Sequence, residues 1–282
     1  MNMLGVFVVF SFIAASMNLS GEINRKRDEG ILLASVENKL SSVSFVALLA
    51  AISGIIGAKI GGIADALLSG NVHSISFFWS ESGFSFYGGL IAATATLWFY
   101  YKRKKIHPLI MADAIAPGLM LAYAVGRMGC HIAGDGDWGI PNHLAKPIPW
   151  LPDWSWAYSY PHNVLRAGIE ITGCTWDDYC YRLLEPVFPT ALYECVITLV
   201  LFSVLWRLRK KTSTIGRTAS LYLVLTGVER FFIEFIRINP RLFFGGLSLT
   251  QAQLVSLVFI SLGMVIYFIA PKLSCNKIEM EH

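Results

Sequence analysis

Charge is scarce in this chain: 15% of its 282 residues are Asp, Glu, Lys or Arg, against 55% hydrophobic and 13% aromatic. That balance is too apolar for an ordinary soluble domain, about a quarter of which is charged. Basic tracts interleaved with aromatics are missing, so no nucleic acid is expected as a partner. No Cys-x-x-Cys occurs and the six histidines are scattered, so no metal site is expected. No repeat of helix motifs is visible, which weighs against an inverted-repeat transporter. The first apolar run has no basic leader before it and no small-residue cleavage site after it, so it reads as a membrane helix rather than a signal peptide. What remains is an all-α polytopic membrane protein.

Apolar runs near the roughly 17 to 25 residues that cross a bilayer fall at residues 3–19, 43–63, 85–102, 109–128, 188–207, 221–240 and 249–269, which makes seven spans. Basic clusters at 25–27, 102–105 and 207–211 follow alternate spans. The positive-inside rule makes them cytoplasmic, which puts the N-terminus outside and the C-terminus, with its polar tail 272–282, inside. Residues 1–282 then form a single integral membrane domain. An external segment at 64–85 carries Phe77, Phe78 and Trp79, which suit the interfacial belt. A longer external arm, residues 130–188, holds Trp150, Trp154, Trp156, Trp176, Tyr158 and Tyr160, a density that suits either a folded arm on the headgroup layer or a plain aromatic girdle. Cys174 and Cys180 both lie in this arm, where an oxidising compartment permits a disulfide; Cys130, Cys195 and Cys275 have no obvious partner.

The chain is organised around LAYAVGRMGCHIAGDGDWGIPN, residues 121–142. Here an apolar run carries Arg127 to the end of a span and then dissolves into glycine, aspartate, tryptophan and histidine. A charge at membrane depth costs at least about 2.5 to 3.5 kcal/mol and is usually tied to a pathway, a site or a partner. Gly126, Gly129, Gly134, Gly136 and Gly139 permit close backbone approach and could gather amides around an anion. The sixth span adds Arg230, Glu234 and Arg237 at i, i+4 and i+7, one face of a helix that needs a polar interior to look into. Lys59 lies among small residues in the second span, from which its side chain can snorkel to the interface.

GRMGCHIAGDGDWG resembles the signature of the prolipoprotein diacylglyceryl transferases, bacterial membrane enzymes, with Gly126, Arg127, Gly129, Gly134, Trp138 and Gly139 fitting. Ser85 to Leu90 is similar to the family's Ser-Phe-His-Gly-Gly-Leu, with Tyr87 in place of histidine before Gly88 and Gly89. Phe188 to Glu194 resembles His-Pro-Ser-Gln-Leu-Tyr-Glu, including Tyr193 and Glu194, and Arg230 to Arg237 matches Arg-Phe-x-x-Glu-Phe-x-Arg. Three further departures are Cys130 where the family has asparagine, an Asp135-Gly136-Asp137 spacer longer by one residue, and Leu4-Gly5 for a Tyr-Gly pair.

The resemblance implies an enzyme of the bacterial inner membrane that moves diacylglycerol from phosphatidylglycerol to the lipobox cysteine of a preprolipoprotein. It implies the lipid, the signal peptide and the bilayer as partners, and no cofactor. Guanidinium forks suit a phosphate that gains charge as it leaves. Arg127 and Arg237 are therefore expected at the phosphate, Arg230 as a second clamp or structural partner, and Glu234 as the group that orients them. Tyr87 and His131 join the catalytic set. Gly88, Gly89, Cys130, Gly134, Trp138, Gly139, Tyr193, Glu194 and Lys59 are expected to line the substrate site. The thiol must ionise, and His131, Glu234 and the substrate phosphate are the open choices for its proton. A solute transporter or a silent lipid-binding relative could use the same arginines.

Overall fold

The computed structural model describes residues 3–30, 42–68, 85–176, 179–211, 214–244 and 247–279. Among them lie seven long helices: α1 Met3–Asp28, α2 Val43–Leu68, α3 Phe86–Arg103, α4 Pro108–Ala133, α5 Thr190–Leu208, α6 Arg217–Ile233 and α7 Gln251–Glu279. Five are long and apolar enough to cross a membrane: α1, α2 over Val43–Ala64, α4, α5 and α7 over Gln251–Pro271. α3 and α6 are shorter, at 18 and 17 residues. Large apolar side chains such as Ile60, Val258 and Phe268 stand exposed on these helices, as they do where the solvent is lipid. Of the expected external segment 64–85, the residues that carry Phe77, Phe78 and Trp79 lie outside the described residues.

The chain divides into two compact units, Leu19–Met111 and the remainder, Met1–Asn18 with Ala112–His282. In the first unit, α2 and α3 meet through glycines. A Cβ on Gly88 would fall 2.5 Å from the Gly57 carbonyl oxygen and 2.9 Å from Gly61 Cα, so the two backbones touch where neither has a side chain. The Ser85 N–H donates to the Ala58 carbonyl at 2.8 Å in the same contact. Without a hydrophobic drive between helices in lipid, such close van der Waals packing is what joins them. The first basic cluster, expected to follow the first span, lies within the same helix. Arg25, Lys26 and Arg27 form the last turns of α1, where Arg25 pairs with Glu22 at 2.8 Å and Glu29 at 2.7 Å in helical spacing.

In the second unit, Ala116 and Met120 of α4 pack on Leu205 of α5, with Leu221 and Leu225 of α6 against them. Buried Asp113 caps α6 from across the bundle, its carboxylate accepting the Gly216 N–H at 2.7 Å and the Ala219 N–H at 2.8 Å. α4 runs through Gly126 and Gly129 instead of ending near Met128. A Cβ on Gly129 would sit 2.5 Å from Phe7 Cβ, so this glycine admits α1 rather than bending the chain. The helix stops at Gly134, whose φ of +60° is the left-handed conformation that favours glycine at a C-terminus.

Two further expectations for this unit are corrected. The sixth span is not helical throughout: α6 ends at Ile233, Glu234–Ile236 form one 3-10 turn, and Arg237 is extended at φ −92°, ψ 154°. Arg230, Glu234 and Arg237 therefore do not share one helical face. Gly139 and Arg237 form an antiparallel bridge, and the Ile140 N–H donates to the Ile236 carbonyl at 2.9 Å, which draws the chain out of the helix. The last span is preceded by an unexpected hairpin of β3 Arg241–Phe244 and β4 Leu247–Thr250, with Arg241 opposite Thr250. α7 then continues into the expected polar tail, ending at Glu279.

The arm between α4 and α5 contains a 3-10 turn at Asp153–Ser155 and a short antiparallel pair, β1 Ile169–Glu170 with β2 Tyr181–Arg182. A disulfide joins Cys174 to Cys180 in the loop of that pair, with 5.6 Å between the Cα atoms. Buried Asn163 organises the turn before it, donating to the carbonyls of Ala167 and Tyr181 at 3.0 and 3.1 Å and accepting the Ala167 N–H at 2.8 Å.

Candidate active site

Glu194, in the first turns of α5, has no exposed side-chain surface and gathers three guanidiniums. Its Oε1 accepts from Arg230 Nη1 and from Arg237 Nη1, each at 2.9 Å. Its Oε2 is ion-paired with Arg127 Nε. Asp137 lies between two of the same arginines, one carboxylate oxygen on Arg127 Nη1 and the other on Arg237 Nη2. Glu234 closes the far side, 3.5 Å from Arg230 Nη2, and it accepts a hydrogen bond from Asn239 Nδ2. Three cations from three segments thus meet two bridging carboxylates, which repay their desolvation only through close geometry and shared hydrogen bonds.

The local sequence explains the convergence. Arg127 arrives on the penultimate turn of α4, Glu194 on the first turns of α5 after Pro189, and Arg230 on the last turn of α6. Thr190 Oγ1 donates to the Asp137 carbonyl at 2.8 Å, which holds the motif loop over the start of α5. Gly139 is needed for close approach, because a Cβ there would lie 2.6 Å from the Ile236 carbonyl oxygen and 2.8 Å from Phe188 Cβ. The N–H groups of Gly134 and Gly139 donate to the Cys130 and Phe188 carbonyls, so they are engaged within the protein instead of being free for an anion. Burial pushes the Asp137 carboxyl up, but the Arg127 and Arg237 guanidiniums outweigh it and hold this group below the usual carboxylate range.

Tyr123 lies under the cluster. Its ring is 5.2 Å from the Arg127 guanidinium, and its hydroxyl donates to Glu229 Oε2 at 3.3 Å and lies 3.5 Å from Glu194 Oε2. Asp137, Tyr123, Glu229 and Asn239 were not among the residues expected from the sequence. Asp137 and Glu229 had a signal there, since one belongs to the organising motif and the other is a carboxyl inside an apolar run.

The remaining expected residues divide between the arm and the other unit. His131 lies on α4 and is buried, so it is not a solvated loop histidine. Its Nδ1 is 3.2 Å from the Tyr160 hydroxyl, and its ring packs on Trp154 and Tyr158. Trp138 packs on Tyr160, and the Tyr193 hydroxyl donates to the Ser155 carbonyl at 3.0 Å, so both tie the arm to the helices. Burial also pushes the hydroxyls of Tyr158 and Tyr160 up, which keeps them protonated. The Cys130 thiol and the Asp135 and Asp137 carboxylates lie within 4.8 Å of one another, a donor set able to hold a metal ion. Two guanidiniums on Asp137 already supply the charge a cation would bring. Lys59, Tyr87, Gly88 and Gly89 belong to the α2–α3 unit, where Gly88 and Gly89 face α2.

A helical bundle with three arginines paired to buried or half-buried carboxylates at one end defines a membrane protein built around a charged centre. The prolipoprotein diacylglyceryl transferase family matches residues 1–269, and the chain belongs to it. It is 32% identical over 206 residues to the phosphatidylglycerol–prolipoprotein diacylglyceryl transferase of Streptococcus sanguinis strain SK36, covering 70% of this chain and 67% of that protein. The enzyme of the same name from Stenotrophomonas maltophilia strain R551-3 is 28% identical over 276 residues, 93% of this chain and 85% of that protein. That of Neisseria gonorrhoeae strain FA 1090 is 31% identical over 224 residues, 75% of each.

Proposed function

We propose that the chain transfers a diacylglyceryl group from phosphatidylglycerol to the lipobox cysteine of a preprolipoprotein, forming a thioether and releasing glycerol phosphate. The observation that carries this is the gathering of Arg127, Arg230 and Arg237 on Glu194, in a chain of this family. In the reaction the thiolate sulfur bonds to the glyceryl carbon, and the carbon–oxygen bond to phosphate breaks with its electron pair on oxygen. The leaving phosphate gains one negative charge. Arg127 and Arg237 face that charge, Glu194 and Glu234 orient them, and Arg230 completes the clamp. Asp137 is the more exposed bridging carboxylate, 32% against 0% for Glu194, so an incoming phosphate competes with it for the same two guanidiniums.

The topology that accompanies this reading is seven spans in the bacterial inner membrane, N-terminus outside and C-terminus in the cytoplasm, with the aromatic arm on the outer headgroup layer. It is supported by the placement of Arg127, Glu194 and Arg230 at those ends of α4, α5 and α6 that are remote from the basic clusters 102–105 and 207–211. Labels at residues 106 and 212 are then accessible only from the cytoplasm, and one at residue 165 from outside. Labelling of 165 only after cells are opened would reverse this orientation.

The activity test combines purified protein, phosphatidylglycerol and a synthetic lipobox peptide. The peptide should gain one diacylglyceryl mass while an equal amount of glycerol phosphate appears. Solute flux without a covalent product would instead mark a transporter, and lipid binding with neither would mark a silent relative. Tyr87→His restores the family residue and should raise the rate or leave it unchanged.

A further inference from the structure

The face of the bundle between α5 and α6 holds a cavity of about 380 Å³ lined by Ile197, Leu201, Leu225, Val228, Phe232 and Glu229, with Ile233 and Ile236 at its end. That volume is within the roughly 300 to 1,000 Å³ typical of small-ligand sites. Val228 and Phe232 are exposed at its edge, so it opens toward lipid. Among the described residues Glu229 is its only polar lining residue, and it is 6% exposed. Its Oε2 accepts from Tyr123, while Oε1 is buried and has no hydrogen-bond partner among the described residues. An unmade hydrogen bond on a buried carboxyl costs more than a bland wall would, about 1–3 kcal/mol or more. The occupant this groove fits is therefore apolar along its length and carries one donor.

We propose that the groove receives the apolar lipobox segment of the peptide substrate and that Glu229 Oε1 accepts the proton of its cysteine thiol. A diacyl chain fits the groove wall less well, because its ester oxygens are acceptors and leave Oε1 unmatched. The S–H proton passes to Oε1, the sulfur pair forms the bond to the glyceryl carbon, and the phosphate oxygen leaves with the pair of the broken bond. The proton then leaves Glu229 for the departing phosphate, and the carboxylate is restored. The groove is continuous with the arginine centre: Tyr123 spans Glu229 and Glu194, and Ile236 immediately precedes Arg237. The charged and titratable groups facing Glu229 are Glu194 from α5, Arg127 and Tyr123 from α4, and Arg230 beside it on α6. This assignment rests on the transferase reading.

The test pairs Glu229→Gln with two synthetic lipobox peptides, one with cysteine and one with selenocysteine, whose selenol ionises without an acceptor. The cysteine peptide should react on the order of a hundredfold more slowly in the variant, in the usual range for a lost proton-transfer group. The selenocysteine peptide should recover most of that loss, and the KM for phosphatidylglycerol should stay the same. Equal losses for both peptides, a raised lipid KM, or no loss at all would overturn the assignment. A benzophenone side chain installed in place of Phe232 gives a readout that needs no turnover. Irradiation should cross-link the peptide in phosphatidylglycerol micelles, and capture of lipid alone would overturn the groove's assignment. If the unaltered protein makes no thioether, the transferase reading fails, and the cross-link still decides what the groove holds.

Discussion

The two compact units reach close packing by opposite means. Between α2 and α3, contact depends on atoms that are missing, since Gly57, Gly61 and Gly88 bring backbone against backbone. Around Glu194, contact depends on atoms that carry full charge and must find one another. A glycine seam tolerates no added atom but demands no partner. A buried ion cluster fills its space with rotatable side chains but fails if any member is left unpaired. The first kind of packing suits a scaffold, and the second suits a place where an incoming anion must find cations already aimed.

The sharpest way to break the contrast is to remove the hub of the cluster. Glu194→Ala removes a fully buried carboxylate and leaves buried Arg237 with half-buried Arg127 and Arg230 sharing Asp137 and Glu234, and losing one partner of a buried pair costs about 3–5 kcal/mol. We expect no measurable transfer and a chain that unfolds early in detergent, followed by thermal melting. Wild-type stability in this variant would mean that the arginines are held by the backbone and not by Glu194.

Arg127→Lys is milder because the charge remains. It removes the fork that reaches Glu194 through Nε and Asp137 through Nη1. The rate should fall by about tenfold to a thousandfold, as for lost transition-state donors. A single-turnover assay should find the fall in the chemical step, and a change confined to lipid KM would place Arg127 in ground-state binding.

Which parts of this were legible beforehand follows from the same contrast. Arg127, Arg230 and Arg237 stood out because a charge in an apolar run is conspicuous at membrane depth. Their convergence was expected from one helical face, and the chain achieves it differently. No glycine or proline stands between Ile233 and Arg237, so the end of α6 has no local stop signal. The bridge to Gly139, about a hundred positions away in sequence, is what unwinds it. Asp137 had a signal in belonging to the organising motif, but Asp135 two positions before it carries the same group, and only the fold shows which of the two meets Arg127 and Arg237. The β3–β4 hairpin had a local signal, alternating apolar residues around Gly245-Gly246, but most of it falls in the gap between the expected spans 221–240 and 249–269, where no element was expected. His131 could not be placed from sequence because its partners, Trp154, Tyr158 and Tyr160, all come from the arm.

On the glycine side, Gly88→Val should separate α2 from α3. The new Cβ alone meets the Gly57 carbonyl at 2.5 Å, with backbone on both sides and no flexible end to move. Overpacking of this kind costs about 1–3 kcal/mol. A melting temperature several degrees lower is expected. Gly5→Ala, with nothing within 4 Å of the added carbon, should melt as the wild type does. If Gly88→Val melts normally but loses activity, Gly88 serves the substrate and not the seam.

The smallest effect concerns Asp137, the most exposed member of the cluster at 32%. Asp137 is held below its ordinary range by Arg127 and Arg237 despite the opposing effect of burial, so its folded-state pKa lies beneath the unfolded value of about 3.9. A carboxyl of that kind binds fewer protons in the folded state. Its contribution is fully present above about pH 4 and is lost only as the pH falls through the lower, folded-state value. Wild type and Asp137→Asn should therefore differ in melting temperature by a constant amount from pH 8 to 5, and the two curves should converge below pH 4. Convergence already at pH 6 would mean that Asp137 is not paired with both guanidiniums in the membrane, and that the outer edge of the cluster is open before substrate arrives.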